Sequence, residues 1–236
     1  MMQPRRHSLV WLTAPGWEQV QAGAAAETVS IREALSRWRA ADWPLVVRRR
    51  LPVMAATDLA LGIALPPQTG TGSKPRIATV VDLLHVRRVD PPLPLAAVLK
   101  VVPAHWRAAL LALHLENLEA LPALRVYGSL AWQTITGMGY LTDSSDIDLL
   151  AAPATPDELS ACLDCLRRYA TILPLDGEII FPSGAAVAWK EWDAVTRGDM
   201  PDAGARVLSK YADNVVLSSC SELLASLADT DTGKLP

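Results

Sequence analysis

The sequence predicts an α+β chain in which a smaller strand-rich N-terminal domain, residues 1–90, precedes a mixed sheet with helices over residues 91–228. Three observations carry this expectation. Short apolar runs bounded by proline, glycine and polar residues dominate the first ninety positions. A proline cluster, Asp90-Pro91-Pro92 with Pro94, then interrupts the chain. Beyond it the pattern changes to alternating strands and helices. Residues 229–236, DTDTGKLP, read as a disordered tail.

In order along the chain, Ser8 to Leu12 is a short apolar run that reads as a strand. Ser30 and Glu33 have capping-box spacing and predict a helix through about Arg39. PLVVRRR and LALGIALPP read as strands, the second closed by Pro66 and Pro67. After the Gly-rich QTGTGSKPR, the run IATVV is another strand. Leu95 to Leu118 is helical with a break at Pro103. Leu124 to Tyr127 is a short strand, and Gly128-Ser129 opens a helix that ends near Gly137 or Gly139. Ser145 to Leu150 is the next strand. Thr155, Pro156 and Glu158 supply N-cap, first-turn proline and N3 glutamate for a helix to about Tyr169. Glu178–Phe181 and Ala186–Trp189 form a hairpin around Pro182-Ser183-Gly184. Val207 to Val216 holds a strand pair turning at Asp213-Asn214, and a last helix covers Ser221 to Leu227.

Composition sets bounds on function. Half of the 236 residues are hydrophobic, enough for a sizeable core. The net charge of -3 argues against a general nucleic-acid binder. No apolar stretch approaches the ~20 residues of a membrane span, and MMQPRRHSLVWL is too short for a signal peptide, so a cytoplasmic location is expected. Three cysteines fit a reducing compartment; Cys162 and Cys165 read as small residues on a buried helix face.

The stretch SDIDLL raises the functional question. Asp146 and Asp148 stand two apart on a predicted strand, so both carboxylates lie on one face while Ile147 points into the core. Like charges so placed repel, and a divalent cation would hold them together. The Gly128-Ser129 turn precedes a helix whose first amides favour anions, and glycine admits a phosphate close to the backbone. Together the two motifs suit magnesium, with two ions able to activate a hydroxyl and stabilise a leaving pyrophosphate.

The combination of Gly128-Ser129, a helix and the Asp146-Ile147-Asp148 strand resembles the polymerase-β type nucleotidyltransferases, which implies a nucleotidyltransferase-like mixed sheet. Sixteen residues separate Ser129 from Asp146, more than is usual there, so the loop GMGYLTDS is long. HSLVWL, WPLVVRR, LGIALPP, KPRI, YGSLAWQTITGMGYLTDSSDIDLL, DGEIIFPSGAAVAWKEW and VLSK, in order, resemble the phosphoribosyl-dephospho-CoA transferases, the malonate decarboxylase holo-carrier-protein synthases. That resemblance implies transfer of the phosphoribosyl-dephospho-CoA group from 2'-(5''-triphosphoribosyl)-3'-dephospho-CoA to a serine of the malonate decarboxylase acyl carrier protein, with release of pyrophosphate.

A third carboxylate is common in the superfamily; Glu178 is the first choice and Asp176 the alternative. Asp146, Asp148 and Glu178 are therefore the expected catalytic set, with Asp146 and Asp148 as metal ligands. Gly128, Ser129 and Lys190 are expected to bind the donor's phosphates, and Arg48 and Arg49 (with Arg50), Lys74 and Arg76 to meet the triphosphate or an acidic carrier. The N-terminal domain would then select donor or carrier. Two other readings stand beside this one: a nucleotidyltransferase that moves a nucleoside monophosphate to another acceptor, and a non-catalytic carrier-binding assembly factor.

Overall fold

A computed structural model describes residues 4–68, 70, 72–120, 122–197 and 204–228; the expected tail, 229–236, lies outside them. The chain divides into two compact units. The first comprises Met1–Pro92 together with Ile135–Tyr140, and the second Leu93–Thr134 with Leu141–Pro236.

The first unit holds β1 (Leu9–Leu12), α1 (Ala14–Gly23), α2 (Val29–Ala40), β2 (Leu45–Val47), β3 (Asp58–Ala64), β4 (Arg76–Asp82) and β5 (Val86–Asp90). Its five strands form an antiparallel sheet in the order β4-β3-β2-β1-β5. Helix α1 was not expected. Thr13 caps it by accepting the Gly16 amide at 3.3 Å, and Pro15 occupies its first turn. Trp17 and Val20 are its buried contacts. Helix α2 starts two residues earlier than the Ser30 reading: Thr28 is the N-cap and accepts the Ile31 amide. Strand β5, VRRVD, was missed because only its valines are apolar; Arg88 lies 3.6 Å over the Trp11 ring of β1, a cation–π contact that a hydrophobic pattern does not contain.

The six-residue piece Ile135–Tyr140 is packed into this unit although its neighbours on both sides of the chain belong to the second. Tyr140 is 1% exposed, and its hydroxyl donates to the Ala64 carbonyl at 2.8 Å, at the end of β3. Burial raises the Tyr140 phenol above its ordinary range, so the hydroxyl stays protonated and remains a donor. The long loop noted in the sequence thus supplies Gly137–Tyr140 of this piece, and the end of the helix before it supplies Ile135 and Thr136.

The second unit holds β6 (Leu93–Pro94), α3 (Leu95–Val98), α4 (Ala104–Ala120), β7 (Arg125–Val126), α5 (Gly128–Thr136), β8 (Ile147–Ala151), α6 (Pro156–Ala170), β9 (Leu175–Ile180), β10 (Ala186–Ala188), α7 (Trp189–Thr196), β11 (Arg206–Lys210), β12 (Val215–Ser219) and α8 (Cys220–Ala228). The sheet order is β12-β11-β10-β9-β8-β7-β6. Strands β8 and β9 run parallel, joined by α6; the other recorded pairs are antiparallel.

Helix α6 follows its sequence signals closely. Thr155 accepts the Glu158 amide at 3.2 Å and Glu158 accepts the Ala154 amide at 2.7 Å. Acidic residues fill its first turn and Arg167 and Arg168 its last, both favourable to the helix dipole. Leu159, Cys162, Leu163 and Leu166 pack with Ile147, Leu149, Leu175 and Ile179 in the core. Cys162, Cys165 and Cys220 are free and buried. Burial pushes the Cys162 thiol up to about 12 and the Cys165 thiol up to about 11, which disfavours the thiolate that metal binding or redox chemistry needs. Trp189 and Trp192 lie in the same core, and Trp132 is buried as well, so none of the three presents a ring to stack on a base.

Candidate active site

Strand β8 places its side chains alternately. Ile147 and Leu149 face the core, leaving Asp146 and Asp148 on the opposite face. In the parallel register, Asp148 stands beside Asp176 of β9. The carboxylate oxygens available from Asp146, Asp148 and Asp176 all lie within 4.8 Å of one another, with Asp146 exposed and the other two half-buried. At that distance, Asp148 and Asp176 repel by ~0.9 kcal/mol in water and ~3.5 kcal/mol at the effective dielectric of a protein surface. Lys190, on the first turn of α7, is 3.8 Å from Asp176 and offsets one of the three charges. A residual charge of minus two remains, which matches one divalent cation.

The donor set is all oxygen, the preference of Mg2+ and related hard ions. An ion at the centre of an equilateral triangle of side 4.8 Å would be about 2.8 Å from each oxygen, so modest side-chain rotations reach the ~2.1 Å that magnesium requires. The residues therefore fit such an ion.

Asp176 was the alternative third carboxylate, and it is the one the fold brings to the pair. Glu178 lies one pleat further along β9, opposite Leu150 of β8. It is 6% exposed and bound by Lys210 of β11, whose Nζ is 2.8 Å from Oε1. Glu178, the first choice, thus stands outside the group of three, with its carboxylate paired to Lys210. Asp176 precedes Gly177, a residue type common in turns. Gly177 is instead inside β9, with φ +136°, and a Cβ there would lie 1.9 Å from the Leu149 carbonyl oxygen. The glycine marks a close approach of β9 to β8.

Gly128 has a comparable role on the other side of Asp148. Its φ is +67°, and a Cβ there would lie 1.8 Å from Oδ2 of Asp148. The Tyr127 amide donates to the Asp148 carbonyl at 3.1 Å, which fixes the turn against β8. The Gly-Ser turn and the two-aspartate strand are thus in direct contact, and Ser129 stands in the first turn of α5.

Arg48, Arg49, Lys74 and Arg76 belong to the first unit. The aliphatic stem of Arg48 lies across Gly62, and Arg50 donates to the Met54 carbonyl at 2.7 Å, holding the loop after β2. Arg49 and Arg76 are exposed, and Lys74 is half-buried. Sequence reasoning did not single out Lys210, whose place follows from a strand pairing that no local pattern contains.

Comparisons with known proteins give the family. Residues 5–92 match the model of the phosphoribosyl-dephospho-CoA transferase MdcG N-terminal domain, and residues 94–220 that of the phosphoribosyl-dephospho-CoA transferase MdcG C-terminal domain. The chain is 36% identical to the phosphoribosyl-dephospho-CoA transferase of Bradyrhizobium diazoefficiens over 190 residues, 80% of this chain and 81% of that protein. It is also 36% identical to the enzyme of the same description from Xanthomonas campestris pv. campestris, over 79% of this chain and 84% of that one. No solved structure matches significantly. With both halves matched in order and relatives at 36% identity over about four fifths of each chain, the chain belongs to the phosphoribosyl-dephospho-CoA transferase family.

Proposed function

We propose that the protein transfers the phosphoribosyl-dephospho-CoA group from 2'-(5''-triphosphoribosyl)-3'-dephospho-CoA to a serine of the malonate decarboxylase acyl carrier protein, in the cytoplasm. The observation that carries this reading is the three-carboxylate group set against a Gly-Ser helix start, in a chain matched by both family models. The serine oxygen forms a bond to the phosphorus nearest the ribose. The bond from that phosphorus to the bridging oxygen breaks, pyrophosphate leaves, and the serine proton passes to a base.

Asp146, Asp148 and Asp176 would hold magnesium, which when bound neutralises phosphate charge and supports departure of pyrophosphate. The same three carboxylates would also serve a second such ion. Around that centre, the amides at the start of α5 and the Ser129 hydroxyl receive phosphate oxygens. Lys190, 3.8 Å from Asp176, is placed to meet the same phosphates. Half-exposed carboxylates beside the attacked phosphorus can take the serine proton. Arg48, Arg49, Lys74 and Arg76 would serve donor or carrier selection by the N-terminal unit.

Mass spectrometry of the apo carrier after incubation with the protein, magnesium and the triphosphoribosyl donor tests the reading. A gain of one phosphoribosyl-dephospho-CoA group on the serine-bearing peptide is expected. A gain of a nucleoside monophosphate from an ordinary nucleotide, with none from the triphosphoribosyl donor, would overturn it in favour of another nucleotidyltransferase.

A further inference from the structure

We infer that Lys210 is a positioning residue for the metal group: acting through Glu178, it holds the β9 segment that carries Asp176. The inference rests on the metal reading of the three carboxylates and extends it to a residue two strands away.

The argument starts from how weakly this part of the sheet is tied by its backbone. Strand β10 has three residues and meets β11 at one register position, Ala186 with Lys210. On its other side, β10 pairs Ala188 with Glu178 and Ala186 with Ile180. Partners in register share a face, so Glu178, Ala188, Ala186 and Lys210 all point to the side of the sheet that carries Asp176. The two alanines leave the space over β10 open. Lys210 crosses it and reaches Glu178 at 2.8 Å, tying β11 directly to β9.

On one side β9 is held by its pairing with β8, Asp176 with Asp148, and the tie acts on the other side. The next neighbour of Asp176, Gly177, has no side chain to anchor by packing and takes a φ of +136°. The first anchored residue after Asp176 is therefore Glu178, two positions on and on the same face. Glu178 is 6% exposed, so without a cation its charge would be buried beside another carboxylate. Removing one partner of such a pair is costly because the remaining charge is left uncompensated. On β8, Asp148 is held from the other side by the close approach of Gly128 and by the Tyr127 amide, which donates to its carbonyl.

The test measures Mn2+ affinity by electron paramagnetic resonance, with no donor present, for the wild-type protein, Lys210→Met, Lys210→Gln and Lys210→Arg. Circular dichroism checks folding of each. Lys210→Met should weaken Mn2+ binding about tenfold, the scale for residues that orient metal ligands. Lys210→Gln, which keeps a neutral donor toward Glu178, should fall between the two, and Lys210→Arg should restore most of the affinity. In transfer assays, kcat should fall with the donor KM nearly unchanged. Folded Lys210→Met, or Lys210→Gln should the first not fold, that binds Mn2+ as wild type does would overturn the inference. So would a raised donor KM with unchanged Mn2+ affinity, which would make Lys210 a phosphate ligand. Failure of the wild-type protein itself to bind Mn2+ would instead refute the metal reading on which the inference rests.

Discussion

Replacing Gly128 by alanine tests the contact between the phosphate turn and the metal strand. Two costs arise, and the structure separates them. The first is backbone strain, because φ is +67°; a non-glycine residue in that region costs roughly 1–2 kcal/mol. The second is collision. The new Cβ would sit 1.8 Å from Oδ2, 2.7 Å from Cγ and 3.1 Å from Cβ of Asp148, all well inside contact distance. Overpacking of this kind costs about 1–3 kcal/mol, so the total is roughly 2–5 kcal/mol. Gly137 supplies the control: its φ is +70°, yet nothing lies within 4 Å of a Cβ there. Gly137→Ala should therefore lose only the strain, about 1–2 kcal/mol. Urea unfolding of both variants gives the difference. Because the clash is relieved by swinging the Asp148 carboxylate away, Gly128→Ala should also bind Mn2+ at least tenfold more weakly, about 1.4 kcal/mol or more, whereas Gly137→Ala should bind normally. Equal destabilisation of the two variants, with wild-type Mn2+ affinity in both, would refute the reasoning.

Other outcomes can be stated briefly. Asp176→Asn should bind Mn2+ more weakly and lower transfer by a factor of about 100 or more, while unfolding in urea like the wild type; retained transfer would exclude Asp176 from the site. Asp146→Ala should abolish transfer without loss of stability, since an exposed member of a repelling group is removed; a marked drop in urea midpoint would contradict this. The folded Cys162 and Cys165 thiols have pKa values raised above the usual 9, to about 12 and about 11. Their stabilising contribution is thus complete below pH 9 and is lost as pH rises toward 11–12, so urea midpoints should fall between pH 8 and pH 10.5. Native protein should also resist thiol reagents at pH 8; rapid labelling of Cys162 would show that it is not buried. Tyr140→Phe should cost ~1 kcal/mol by urea unfolding, the worth of the bond to Ala64, and an unchanged midpoint would mean that bond contributes nothing.

Local signals made much of the fold legible. Thr155, Pro156 and Glu158 announced α6, and the Asp146-Ile147-Asp148 alternation announced both β8 and its functional face. The same chemistry at Thr13 and Pro15 announced α1 but was overlooked beside the short β1. Helix α7 was taken for the end of a strand because Trp189 continues the apolar run of Ala186–Ala188. The third carboxylate was left open between Glu178 and Asp176 for a different reason. Whether Asp176 or Glu178 joins the aspartate pair depends on the register of β9 on β8 and on the partner that β11 supplies. Both are long-range pairings. Gly177 added to the ambiguity, since a glycine in a strand and a glycine in a turn look alike until the neighbouring backbone is seen.

The placement of Ile135–Tyr140 bears on how this protein can be cut. A reader of the sequence would sever it near residue 93 and expect a self-sufficient catalytic half. That half would carry away a strip of six residues whose packing partners remain with the discarded piece, among them a tyrosine that is 1% exposed in the whole chain. The strip stands between Ser129 and Asp146, so the stranded residues would loosen the span that separates the phosphate turn from the metal strand. The chain contributes to the two units in alternating segments, and evolution or engineering that exchanges the first unit for another would have to exchange this strip as well.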